Sequence, residues 1–110
     1  GTTNFVGGGL MDGKAVGGDA LSFLFQWSFC SVASTIVSGG VAERLTLPGY
    51  MIFTSVMAGF IYPTVVSWSW GPSGWLGDRG FSDFAGSGVV HMVGGVGALC
   101  GAAIIGPREG

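Results

Sequence analysis

The run DFAGSGVVHMVGGVGALCGAAIIGPR, from Asp83 to Arg108, constrains this chain more than any other stretch, because between its terminal charges it holds one histidine, His91, and no acidic or basic residue besides. A helix of ~20 apolar residues rising 1.5 Å each covers a ~30 Å hydrocarbon core, so the run is expected to cross a bilayer. An ionisable group inside such a span is costly to place there, which makes it a functional candidate. His91 follows Asp83 by eight residues. On an ideal helix that spacing sets it roughly 12 Å deeper on nearly the same face, an acid at the surface above an imidazole within.

The remainder of the chain has the same character. Only 9% of its 110 residues are charged and 48% are hydrophobic, where an ordinary soluble domain carries about 25% charge. The 23 glycines follow no collagen period and are scattered among Val, Ile, Leu and Phe, as in helices whose backbones approach closely in lipid. A net charge of −2 with no basic cluster excludes nucleic-acid binding. Cys30 and Cys100 both lie in apolar runs, so no disulfide framework is expected. No nucleophile with a base is visible, which argues against an enzyme, and no metal or cofactor is expected. The N-terminal residues lack a basic region followed by an apolar core, unlike a signal peptide. The chain starts at Gly1 and reads as a piece of something longer.

Residues 1 to 19 are glycine-rich with Asp12, Lys14 and Asp19, which suits a loop outside the membrane. Gly8 to Lys14 matches the start of a P-loop, but Ala15 stands where Ser or Thr would bind magnesium, and the polar-loop reading is preferred. Three spans are expected, over about 20–42, 47–70 and 84–106. Cys30, Ser34 and Ser38 form a small-residue stripe on the first, and Gly94, Ala98 and Ala102 with Gly97 and Gly101 do so on the third. The short connection Glu43 to Thr46 makes the first two spans antiparallel, with Thr46 as N-cap, Pro48 in the first turn and Glu43–Arg44 as a helix-end pair. Pro63 is expected to kink the second span, and Tyr62, Trp68, Trp70 and Trp75 suit an interfacial aromatic belt. Gly71 to Ser82 reads as a loop with a charged tip at Asp78–Arg79. Arg44 and Arg108 flank span ends on one side, which the positive-inside bias assigns to the cytoplasm.

These residues carry a resemblance. DFAGS at Asp83 to Ser87, Val90, Gly94–Gly95, Ala98–Leu99 and Gly106-x-Arg108 resemble the signature of the ammonium transporter family, Amt/Mep/Rhesus, and look closer to its Amt branch. FQWSF at Phe25 to Phe29, GGVAER at Gly39 to Arg44 and SWSWGPSGW at Ser67 to Trp75 are similar to the family in the right order. The resemblance implies an all-α membrane protein, these spans being the third to fifth helices of an eleven-helix transporter fold that assembles as a homotrimer in membrane lipid, in the plasma membrane. It implies transport of ammonium or ammonia.

Each candidate site residue has a plainer reading beside the functional one. His91 looks like the first of the family's twin pore histidines; a neutral imidazole offers one donor and one acceptor without fixed charge, though a core histidine bonded to a carbonyl has the same sequence signature. Asp83 fits an N-cap accepting the N–H of Ala85 or Gly86, or a cation ligand at the mouth. Trp70 resembles the tryptophan of an outer recruitment site, where an indole face attracts ammonium by ~0.5–2 kcal/mol; otherwise it anchors the interface. Phe29 looks like one of two gate rings, with Phe25 lining the same vestibule, against ordinary packing. The alternative function is a sensor of the same fold that reports ammonium rather than conducting it. A haem redox protein is remote, because one histidine cannot supply two axial ligands. Three helices with bare small-residue stripes are expected to be inactive alone.

Overall fold

The computed structural model describes residues 17–108. The P-loop-like Gly8 to Lys14, with Asp12, lies outside the described residues, as does the side chain of Asp19. Among the described residues all regular structure is helical. Among the described residues three stretches are long and apolar enough to cross a membrane: Leu21–Val41, Leu47–Ser69 and Ser87–Ile105, of 21, 23 and 19 residues.

The first span is a single helix, α1 (Gly17–Val41), uninterrupted because no proline falls within it. It stops where Glu43 takes a positive φ of 63° and the N–H groups of Arg44 and Leu45 both turn back to the Val41 carbonyl at 3.1 Å. The second span begins after an extended Thr46, with Pro48 in the first turn of α2 (Leu47–Val56), where its missing N–H leaves no bond unmade. Thr46 sits at the N-cap position but its hydroxyl makes no capping bond.

Pro63 does not simply kink this span. A π-helical turn, π1 (Met57–Ile61), precedes it, and the Tyr62 N–H closes on the Met57 carbonyl five residues back before α3 (Tyr62–Ser69) resumes. In that register the absent N–H of Pro63 would have met the Ala58 carbonyl. The Cys30 thiol of α1 approaches that same carbonyl at 3.8 Å. The expected loop after Trp70 contains one helical turn, α4 (Trp75–Asp78).

The third span departs most from the expectation of a helix running straight on from Asp83. Gly86 is left-handed with φ 80°, a second π turn, π2 (Ser87–Met92), follows, and only then does α5 (Val93–Ile105) run to Gly106 at φ 89°. The spacing argument that set His91 on Asp83's face therefore fails, since residues 83 to 86 are not helical and a π turn takes more residues per revolution.

Glycines allow the first and third spans to touch. A Cβ on Gly94 would lie 2.8 Å from the Ile36 Cβ and 2.9 Å from the Ala33 carbonyl oxygen; one on Gly40 would lie 2.7 Å from the Ala98 Cβ. Val37, Val41 and Met57 form one buried cluster, and Ala33, Tyr62, Val89 and Val90 another nearer the Trp70 end. The second and third spans diverge, leaving an apolar groove of about 760 Å³ lined by Leu45, Phe53, Met57, Ile61, Val93 and Val96 among others. At the opposite end from Trp70, Arg44 donates to the Gly106 carbonyl at 3.0 Å and Arg108 pairs with Glu43 at 3.0 Å. Glu43 and Arg44 thus do not pair with each other. Each reaches across to the third span, because the positive φ at Glu43 splays the two side chains.

Candidate functional site

Asp83 organises one end of the molecule. Its Oδ1 accepts the N–H groups of Gly86 and Ser87, both at 3.0 Å, and the Ser87 hydroxyl at 3.2 Å; its Oδ2 accepts those of Gly88 at 2.9 Å and Val89 at 2.8 Å. The partners expected from sequence were Ala85 or Gly86; four successive N–H groups from Gly86 onward take that place. This satisfies the orphan donors of the helix start and neutralises its positive pole. The carboxyl is held below the usual carboxylate range, chiefly by the Val89 N–H. Partial burial works the other way, and the Gly88 N–H with the Ser87 hydroxyl and N–H adds to the lowering. With both oxygens engaged, the side chain acts here as a cap.

The backbone of the same residue reaches the second span. The Trp70 indole N–H donates to the Asp83 carbonyl at 2.7 Å, which fixes the ring over the turn. Gly86 makes room for it: a Cβ there would come within 3.3 Å of Trp70 Cη2 and 2.8 Å of Val90 Cγ2. Phe29 of α1 meets Trp70 edge-on with ring centroids 5.9 Å apart, and Phe25, one turn earlier, stands perpendicular to Phe29 at 4.9 Å. Three aromatic rings from two spans therefore form one contiguous cluster. Phe25 at its outer edge is 62% exposed.

The tryptophans separate by environment. Trp68 pairs with Trp75 at 6.0 Å and lines the groove between the second and third spans, while the Arg79 guanidinium lies 5.5 Å over the Trp75 ring. One face of Trp75 is thus already covered by a cation of the chain itself. Trp70 lies in the other direction, toward α1.

His91 lies below this cluster in π2. Its Nδ1 is 3.1 Å from the carbonyl oxygen of Gly86, the glycine on which Trp70 rests. The ring is exposed on the flank of the third span. Met92, Val96 and Cys100, which line the groove, belong to a different face. Val90, its neighbour in the turn, is the residue buried against Ala33 and Tyr62. Phe25, Phe29, Trp70, Asp83 and His91 are thereby linked through direct contacts and the single carbonyl of Gly86. Among the described residues no cluster of metal-ligating side chains occurs.

Gly86 was expected from sequence as a capping donor, but its left-handed turn and the contact of its carbonyl with His91 were not. The signal was available as a glycine three residues after a capping aspartate, the spacing of a turn that needs a left-handed residue before the helix begins.

Comparison with known proteins places these features in context. The profile described as Ammonium Transporter Family matches residues 2–110. Ammonium transporter 1 member 2 of Arabidopsis thaliana is 47% identical over 104 residues, covering 86% of this chain and 20% of the relative. Ammonium transporter 1 member 1 of Solanum lycopersicum is 48% identical over 100 residues, covering 84% and 20%. Ammonium transporter 3 of Dictyostelium discoideum is 46% identical over 88 residues, covering 80% and 20%. The chain spans about a fifth of the length of these curated relatives. No solved structure matches.

Proposed function

Given that the chain belongs to the ammonium transporter family, we propose that it supplies the outer aromatic vestibule and one histidine-bearing wall of a pore for ammonium or ammonia. The observation that carries this reading is the unbroken sequence of contacts from Phe25 and Phe29 through Trp70 and Asp83 to Gly86 and His91. An ammonium ion attracted to an indole face gains ~0.5–2 kcal/mol, enough to favour entry while permitting release. Phe29, edge-on beneath that ring, narrows the way inward with an apolar edge, where a small neutral amine passes and a hydrated ion loses its water.

His91 then offers a polar partner at a depth where a bare charge costs at least ~2.5–3.5 kcal/mol. Its exposed ring leaves the remaining wall of the pore to parts of the protein outside this chain. Asp83 has a positioning part: its carboxylate shapes the turn and its carbonyl orients Trp70. The full protein would be a multi-pass membrane protein of the plasma membrane, working as a homotrimer with lipid around it.

The test uses the full-length polypeptide in liposomes, with voltage recording and an ammonium gradient. We expect ammonium-driven flux above that of empty liposomes. Saturable ammonium binding with no flux would instead favour a sensor of the same fold.

A further inference from the structure

The structure assigns a phospholipid to the groove between the second and third spans at its Trp68 end, with the phosphate on the Arg79 guanidinium and an acyl chain against Trp68, Leu76 and Phe81. The inference goes beyond the transport reading. It rests on the chain's place in a membrane and not on what the protein conducts.

Arg79 lies on the loop that joins these two spans, and it is exposed. Its guanidinium lies 5.5 Å over the ring of Trp75, which in turn pairs with Trp68 at 6.0 Å. The backbone holds it there: the N–H groups of Arg79 and Phe81 both return to the Leu76 carbonyl, at 3.2 and 3.0 Å, with Gly80 left-handed at φ 88° between them. A guanidinium drawn to a ring by its charge still has N–H donors to give, and a phosphate accepts two of them side by side. Among the described residues the one ion pair is Arg108 with Glu43, so Arg79 meets no carboxylate there, its neighbour Asp78 included.

The groove begins beneath that charge. Leu76 and Phe81, which brace Arg79 through the backbone, line it together with Trp68, Met92 and Val96. Trp68, Trp75 and Phe81 are exposed, and Trp70 is turned away toward α1, so this surface is separate from the aromatic cluster. Indole rings favour the level of the lipid headgroups, and a guanidinium there favours phosphate. Another span of the polypeptide would bring an apolar flank to that charge. A phospholipid brings an anion to Arg79 and hydrocarbon to the groove at once, and so matches both.

The experiment is photo-crosslinking of the full-length protein in liposomes that contain a phosphatidylglycerol with a diazirine on one acyl chain, the adducts being mapped by peptide mass spectrometry. We expect adducts at Leu76, Phe81 and Met92. Arg79→Gln should lower their yield roughly 2- to 12-fold, the worth of one hydrogen bond, while Arg108→Gln at the far end should leave it unchanged. A diacylglycerol with a galactose headgroup and the same diazirine chain should label the wild type as weakly as the phospholipid labels Arg79→Gln. No adduct at these residues, the result expected if a further span lies in the groove, would overturn the inference. So would a yield indifferent to Arg79 or to the phosphate, or one lowered equally by Arg108→Gln. Ammonium flux is measured separately, so the transport reading stands or falls without these adducts.

Discussion

Asp83 is the residue on which most contacts of the site converge, and its protonation state gives the clearest single-residue prediction. Because its folded pKa is lowered, the unfolded chain binds more protons, and the stabilisation is complete above the unfolded value of about 3.9 and lost as pH falls through the lowered one. Asp83→Ala should cost ~1–2 kcal/mol at neutral pH, the usual range for a lost cap. The gap in unfolding temperature between it and the wild type should stay constant above about pH 5 and narrow in acid; a gap that ignores pH contradicts the cap. At Trp70 the expected effect is on entry. Trp70→Leu in the full-length protein should raise the half-saturating ammonium concentration roughly 2- to 30-fold, the range set by a cation–π contact, while Trp75→Leu should leave it unchanged, since Arg79 already covers that ring. His91 and Trp70 were legible in the sequence as a polar group in an apolar run and an aromatic at its mouth. The contact of the Gly86 carbonyl with His91 was not, because a backbone acceptor has no residue type to announce it.

At the level of the elements, the sequence disclosed three apolar spans and the small residues that let them meet, since both depend on side-chain size and hydropathy. It did not disclose the two π turns. Pro63 signals that a bond is missing, but whether a helix answers with a kink or a wider turn depends on what packs against it, here the Cys30 thiol beside the freed Ala58 carbonyl. Likewise Asp83 signals a cap, but the number of N–H groups it gathers depends on the left-handed step at Gly86. The seam between α1 and α5 yields a paired test. Gly40→Ala would drive a methyl against Ala98, with the Cβ positions 2.7 Å apart, and should destabilise by ~1–3 kcal/mol as overpacking does. Gly39→Ala meets nothing within 4 Å and should be neutral or stabilise by up to ~1 kcal/mol through helix propensity. Thermal unfolding in detergent distinguishes them; equal effects at the two positions would mean the spans do not touch along Gly40.

For the molecule as a whole, the three spans leave much apolar surface uncovered. Large apolar side chains such as Leu24, Trp27, Ile52, Phe60 and Ile104 are exposed, the groove between the second and third spans is unfilled, and His91 faces outward. Hydrogen exchange on residues 1–110 expressed alone should accordingly be faster along α1 and α5 than in the full-length protein, and equal protection would mean that the chain is self-sufficient. The end opposite Trp70 is closed by Arg44 on Gly106 and Glu43 on Arg108, in agreement with placing both arginines on one side of the membrane. The claim at the centre is that the aromatic cluster and His91 belong to one route for ammonium. The measurement that tests it most directly is the flux ratio of ammonium to potassium in liposomes containing full-length wild-type protein or its His91→Ala variant. We expect the substitution to abolish ammonium flux or collapse that ratio, whereas unchanged flux with unchanged discrimination would contradict the claim.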